Sequence, residues 1–334
     1  MGQILTPIHT AARGFQLQDL PGSLPTGPAE SNFLVAIKET CVEEGFSSKT
    51  AEDMAGYRAI ETLRPKEDRV CEDPFAKHFL DGAWKARCAS PLHSMPFMWT
   101  AEFMNPGAAN TVCIRLRFID DCIKSCIEEG LEQLVILGAG YDCRAYRMEE
   151  LKGSVTVFEV DFPATQDKKR RILDAVLGEI PDHVVFVPYQ LEKEGFGEQL
   201  VEMGYDKRKK SLFVLEGLIM YLAPESVKEL FASISHHSCP GSGVVFDFFP
   251  SGIEDGSIPD RGGRNMYHWA IMKGEPFKFG IDQEQLPNFL SDVGFFNINT
   301  VAAEECREKY FTGSNRSRSI SPLFFFATAS VRKK

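Results

Sequence analysis

The sequence predicts a doubly wound α/β fold, a seven-stranded sheet with an antiparallel final strand, preceded by a helical lobe. Three observations carry this expectation. Seven short β-rich runs fall between residues 134 and 330, and helix-length segments separate the early ones. The last two runs have no clear helix between them, which predicts an antiparallel pair at a sheet edge. The apolar run in "EQLVILGAGYDCRAYRM", residues 132–148, leads straight into a glycine turn, as a nucleotide-binding crossover does.

The elements follow in order. Residues 1–30 contain several Pro and Gly without a periodic apolar face and read as an extended arm. Residues 31–110 read as a helical cap lobe, opening with "SNFLVAIKETCVEEG", where Ser31 can cap and Gly45 ends the pattern, and continuing with "SSKTAEDMAGYRAIETLR". From residue 111 to 334 the pattern alternates: a helix at "TVCIRLRFIDDCIKSCIEEG", then strands at "LVILG", "VTVFEVD", "VVFVPYQ", "LFVLEG", "GVVFDFF", "FNINTV" and "LFFFATAS". A substrate-binding insertion is expected near 250–282. No internal repeat or low-complexity segment interrupts this order.

At 334 residues and 43% hydrophobic, the chain can bury a core large enough for one domain with a lobe, or for two domains. A formal charge of -10 would repel a phosphate backbone, and the basic residues are scattered, so no nucleic-acid partner is expected. Nine cysteines is an odd number, and they show neither C-x-x-C pairs nor ligand spacing with the histidines, so neither a disulfide framework nor a metal site is expected. Cys122 and Cys126 read as two small apolar side chains on one helix face. The start of the chain lacks a signal-peptide pattern and no apolar run reaches bilayer length, so the expectation is a cytoplasmic protein without stable membrane association. Gly2 and Thr6 match the myristoylation pattern M-G-x-x-x-[ST], but no polybasic patch follows, and a plain polar tail is the simpler reading.

In an open α/β sheet the ligand sits beyond the carboxyl ends of the strands, at the switch point beside the first strand. Gly138 and Gly140 lie in that loop, where missing Cβ atoms let the backbone approach a ligand. The third glycine of the dinucleotide fingerprint is replaced by Cys143. Asp161 ends the second run, 23 residues after Gly138, where a carboxylate can accept both ribose hydroxyls of either NAD or S-adenosylmethionine. Glu159 points the same way along that strand. Glu216 ends the fourth run after apolar residues and needs a cationic partner. S-adenosylmethionine supplies an ammonium and a sulfonium there; the alternative is an ordinary ion pair with a Lys or Arg of the chain.

With those residues in view, "SKTAEDMAGYRA", "EDPFAKHFL", "RLRFIDD", "LVILGAGYDCRAYRM", "VFEVDFP", "LEGLIMYL" and "EPFKFGI" together resemble the leucine carboxyl methyltransferase family, in the same order from about residue 47 to 300. The resemblance implies a Rossmann-like methyltransferase fold with S-adenosyl-L-methionine as donor. By motif position it implies that Gly138 lies against the cofactor, Asp161 holds the ribose and Glu216 sits by the methionine end. It further implies that Arg115, or Arg117 if the register slips by one step, and Lys49 reach the cofactor; two parallel guanidinium bonds suit a carboxylate. Many family members place an Asp-Leu pair against adenine, whereas this chain has Gln190 and Leu191. A Gln side-chain oxygen can still accept from the adenine amino group.

The expected activity is O-methyl transfer to a carboxylate or phenol of a small, aromatic or polyketide-like molecule. "SPLHSMPFMWTAEFMN" and "GGRNMYHWAIMKGEPFKF" are dense in residues that suit a flat apolar acceptor: Met95, Phe97, Trp99, Phe103, Tyr267 and Trp269. The bland reading is that they join the lobe to the sheet. Tyr221, His268 and Arg264 are the candidate catalytic residues that could orient an acid or phenol, and His237 reads as a helix-terminal residue. A carboxylate acceptor is already ionised and needs no general base, whereas a phenol benefits from one. Three alternatives remain at this stage: a protein C-terminal leucine carboxylate as acceptor, an NAD-dependent oxidoreductase, and a catalytically silent cofactor-binding scaffold.

Overall fold

A computed structural model describes residues 49–193 and 195–332. The expected arm over 1–30, the helix opening at Ser31 and the Gly2 myristoylation pattern lie outside the described residues.

The helical part comprises α1 (Lys49–Thr62), α2 (Gly82–Arg87), α3 (Pro91–Met104) and α4 (Ala108–Glu128). In α4, Val112, Leu116, Ile119 and Ile123 recur at helical spacing and are all buried. Gly107 precedes the helix, and its φ of 75° and lack of a side chain are both required: a Cβ would sit 2.4 Å from the Ile320 carbonyl carbon. Eight cysteines fall among the described residues, and all are free thiols.

The sheet contains β1 (Gln133–Leu137), β2 (Thr156–Asp161), β3 (Val184–Pro188), β4 (Ser211–Leu215), β5 (Gly243–Phe248), β6 (Phe295–Ala302) and β7 (Phe325–Val331). Its spatial order is β3-β2-β1-β4-β5-β7-β6, and the first five strands are mutually parallel. The chain therefore reverses direction across the sheet between β1 and β4, which opens the switch-point crevice at their carboxyl ends. β7 runs antiparallel to both β5 and β6, as expected from sequence. The two last strands are nonetheless not a tight hairpin, because a short helix, Arg307–Tyr310, intervenes between Ala302 and Phe325.

Side chains alternate across the sheet. Val135 and Leu137 of β1 pack with Val227, Leu230, Phe231 and Ile234 of the helix Pro224–His236 on one face. Leu134 and Ile136 pack with Ile119 and Ile123 of α4 and with Ala55, Ala59 and Ile60 of α1 on the other. Burying each of the Val, Leu, Ile and Phe side chains contributes roughly 1.5–3 kcal/mol. The consequence for function is rigidity: the strand ends that carry Asp161, Glu216 and Asp247 are held by core on both sides.

Candidate active site

β1 ends at Leu137, and the turn after it is built by Gly138 (φ 63°) and Gly140 (φ 40°). A Cβ on Gly138 would lie 2.9 Å from Leu218, and one on Gly140 would lie 3.4 Å from Ala51 of α1. The turn is tied to β2 at two points. Ala139 donates its backbone N–H to the Val160 carbonyl at 3.1 Å, and the Gly140 N–H donates to Asp161 Oδ2. Asp161 Oδ1 accepts from the Phe162 N–H at 2.6 Å. Burial pushes the Asp161 carboxyl above its ordinary range, and these two amides pull the other way. Asp161 thus fixes the glycine turn as well as ending β2.

Next to it lies a buried ionic cluster. Arg115, on α4, donates Nε to Glu216 Oε1 at 3.0 Å and Nη1 to Asp247 Oδ2 at 2.8 Å. Arg144 is fully buried and pairs with Glu216 Oε2 at 2.6 Å, with Asp120 at 2.8 Å and with Asp142. Arg147 grips both oxygens of Asp120 at 2.7 Å. Arg58 of α1 holds Asp73 at 2.9 Å and donates to the Tyr141 carbonyl at 2.7 Å, which docks α1 onto the glycine turn. Burial alone would raise the Glu216 carboxyl, but Arg144, Arg115 and Arg58 outweigh it and hold Glu216 down at about 2. Glu216 is therefore ionised at neutral pH.

This corrects the expectation that Glu216 stands alone until a cationic ligand arrives. Its partners come from residues 101 and 72 positions away in the chain, so nothing in "LEGLIMYL" announces them. Arg115 rather than Arg117 faces the site: Arg117 is exposed and pairs with Asp121 on its own helix at 3.0 Å. Asp247, Arg144 and Arg58 were missed by sequence reasoning. Asp247 did leave a signal, since a carboxylate inside "GVVFDFF" cannot be buried without a partner.

The remaining expected residues divide. Tyr221 is partly buried, meets the Phe277 ring tilted at 5.3 Å and is held protonated by burial and by nearby Glu275, with Arg115 opposing. Beside it lies the buried Thr50 hydroxyl, whose interaction with the Tyr221 hydroxyl opposes the effect of burial. The Lys49 backbone N–H donates to Glu275 at 3.1 Å, and the residue is exposed. Gln190 and Leu191 follow β3, half-buried, with Leu191 packed against the core and the Gln190 carbonyl accepting from the Lys193 N–H at 2.9 Å.

Arg264 and His268 are not brought to Tyr221. Both are exposed on the helix Arg261–Lys273; Arg264 bonds the Pro259 carbonyl near its start, and His268 contacts the ring of Tyr267 at 5.3 Å. Their spacing on this helix turns them to solvent, while Met266 and Ala270 take the buried face. Of the aromatic residues, Phe97 packs between Tyr57 and Trp84, whereas Trp99 and Phe103 are 72% and 66% exposed on the outer side of α3. His237 ends its helix, bonded to the Ser233 carbonyl at 2.9 Å.

A doubly wound seven-stranded sheet with an antiparallel β7, a glycine turn after β1 and carboxylates after β2 and β4 defines the class of S-adenosylmethionine-dependent methyltransferases. The comparisons name the family within it. The model of the leucine carboxyl methyltransferase family matches residues 51–235, more than half of the chain. A candidate S-adenosyl-L-methionine-dependent methyltransferase of Bacillus subtilis is 30% identical over 224 residues, covering 67% of this chain and 71% of that protein. One of Mycobacterium tuberculosis is 34% identical over 212 residues, covering 61% and 65%. Among solved structures, a candidate methyltransferase of Thermobifida fusca superposes with a TM-score of 0.56 at 14% identity, covering 87% of this chain and 97% of that one. The chain belongs to the leucine carboxyl methyltransferase family.

Proposed function

We propose that the protein transfers a methyl group from S-adenosyl-L-methionine to an oxygen, most favourably a carboxylate, of a small molecule. The observation that carries this reading is the ionic cluster at the switch point. Arg58, Arg115, Arg144 and Arg147 face Asp73, Asp120, Asp142, Glu216 and Asp247, with Asp161 on the adjoining turn, so carboxylates outnumber guanidiniums there. A bound donor with a carboxylate, an ammonium and a sulfonium carries a net positive charge and suits such an excess. The residues fit this group in a second way. The positive φ of Gly138 and Gly140, and the close approach of Leu218 and Ala51 to them, keep the turn after β1 free of side chains, so its backbone is open to a nucleoside.

When bound, the donor supplies an electrophilic methyl on sulfur. The chain's own residues do the rest. Arg115, with Nε and Nη1 engaged by Glu216 and Asp247, keeps Nη2 for a single bond to the donor carboxylate in place of the two parallel bonds expected from sequence, and Glu216 accepts from the ammonium. Asp161 receives the ribose hydroxyls, and Gln190 with Leu191 borders the adenine. Lys49, at the start of α1, adds positive charge near the donor carboxylate. Tyr221 stays protonated and therefore donates a hydrogen bond to the acceptor and takes no proton from it. An acceptor that is already ionised suits such a site, because alignment and exclusion of water then supply most of the catalysis.

The test is a donor-consumption screen against aromatic carboxylic acids, phenols and a peptide ending in a leucine carboxylate. Methylation of a small carboxylic acid, at a rate flat from pH 6 to 9, is expected. Turnover confined to the leucine peptide would move the protein to the protein-modifying activity, and a rate climbing with pH would indicate a phenol.

A further inference from the structure

Asp247 is the penultimate residue of β5 and is fully buried, in a strand otherwise made of Gly, Val and Phe. Its two oxygens serve different elements. Oδ2 accepts from Arg115 Nη1 on α4 at 2.8 Å, and Oδ1 accepts from the Gly217 backbone N–H at 2.6 Å. Gly217 follows Glu216 and has a φ of 61°, and a Cβ there would come within 3.2 Å of Arg115 Nη1. One carboxylate therefore sets both the guanidinium and the peptide that carries Glu216.

Packing alone does not account for an acid at this position. A buried carboxylate gains little over an apolar side chain of similar volume unless its bonds are needed for something else. The two bonded groups, Arg115 and the Glu216–Gly217 turn, are the ones assigned above to the carboxylate and the ammonium of the donor. We propose that Asp247 is a positioning residue for the methionine end of the cofactor, holding Arg115 and Glu216 at the spacing that a zwitterionic amino-acid group requires. It touches neither donor nor acceptor. The inference rests on the cofactor assignment above.

The experiment compares two ligands on the full chain by calorimetry. S-adenosylhomocysteine has the amino-acid end; methylthioadenosine shares the nucleoside and lacks it. In D247N the amide oxygen can still accept the Gly217 N–H, but an N–H now faces Arg115. Losing one charge-assisted bond to Arg115 should weaken S-adenosylhomocysteine about 10- to 100-fold. Methylthioadenosine binding should stay within about twofold, since each tenfold change requires a full 1.4 kcal/mol. D247E keeps the charge but displaces the carboxylate from Arg115 and the Gly217 N–H and should shift the ratio in the same direction, so it serves if D247N does not fold. An equal loss for both ligands, or an unchanged ratio in either folded variant, overturns the proposal. Failure of the wild-type chain to bind S-adenosylhomocysteine at all would instead strike the cofactor assignment.

Discussion

The two sides of the glycine turn solve the same problem, buried carboxylates, in opposite ways. On the β2 side Asp161 leans on two backbone amides, and Glu159 has Lys169 at 2.7 Å as its ion-pair partner, with both side chains fully buried. Burial dominates there and lifts Glu159 to about 6, with Lys169 opposing. On the β4–β5 side guanidiniums crowd in and hold Glu216 at about 2, while Asp247 behind Arg115 is still raised by burial against the pull of that guanidinium. The difference matches the two ends of the proposed cofactor. Neutral ribose hydroxyls need an acceptor fixed by amides, whereas a charged amino-acid end needs a cluster that tolerates charge.

The largest way to break this contrast is to remove Arg144. R144M leaves Glu216, Asp120 and Asp142 short of a buried counter-charge and should cost about 3–5 kcal/mol of stability, read by chemical denaturation. A loss under 1 kcal/mol would mean that the cluster is open to water. Next comes Asp161. D161A should weaken S-adenosylhomocysteine and methylthioadenosine together by about 10- to 100-fold, because both carry the ribose. A loss restricted to one ligand would sever Asp161 from the ribose.

The pH dependence sharpens the comparison further. Glu159 has a folded pKa raised above its unfolded value of about 4.3, so its contribution is fully present below that value and is lost as pH rises through about 6. The loss amounts to about 2 kcal/mol, and E159Q should flatten the wild-type slope in that window. Glu216 has the opposite sign, its stabilising contribution being lost as pH falls from about 4.3 to about 2. Stability curves with the same slope for E159Q and wild type between pH 4 and 6 would contradict the assignment. The smallest effect belongs to R117A: one exposed helix pair is worth under about 0.5 kcal/mol, and cofactor affinity should not change.

Much of the fold was legible because its signals are local. The apolar run entering Gly138 and the absence of a clear helix before β7 were enough to anticipate the sheet and its antiparallel last strand. Asp161 was legible for the same reason, as a carboxylate at a strand end. The partners of Glu216 were not, because Arg115 and Arg144, with Asp247 behind Arg115, meet it only after four separate elements pack together. The outward turn of His268, Arg264, Trp99 and Phe103 was equally hidden, since a helix dense in aromatic residues does not declare which face it buries.

The central claim is that a charge cluster beside the glycine turn reads the amino-acid end of the cofactor. The direct measurement is titration calorimetry of the wild-type chain with S-adenosylhomocysteine and with methylthioadenosine. The account predicts micromolar binding of the first and binding of the second weaker by at least about 30-fold, as expected for losing charge-assisted bonds. Equal affinities for the two ligands would contradict it.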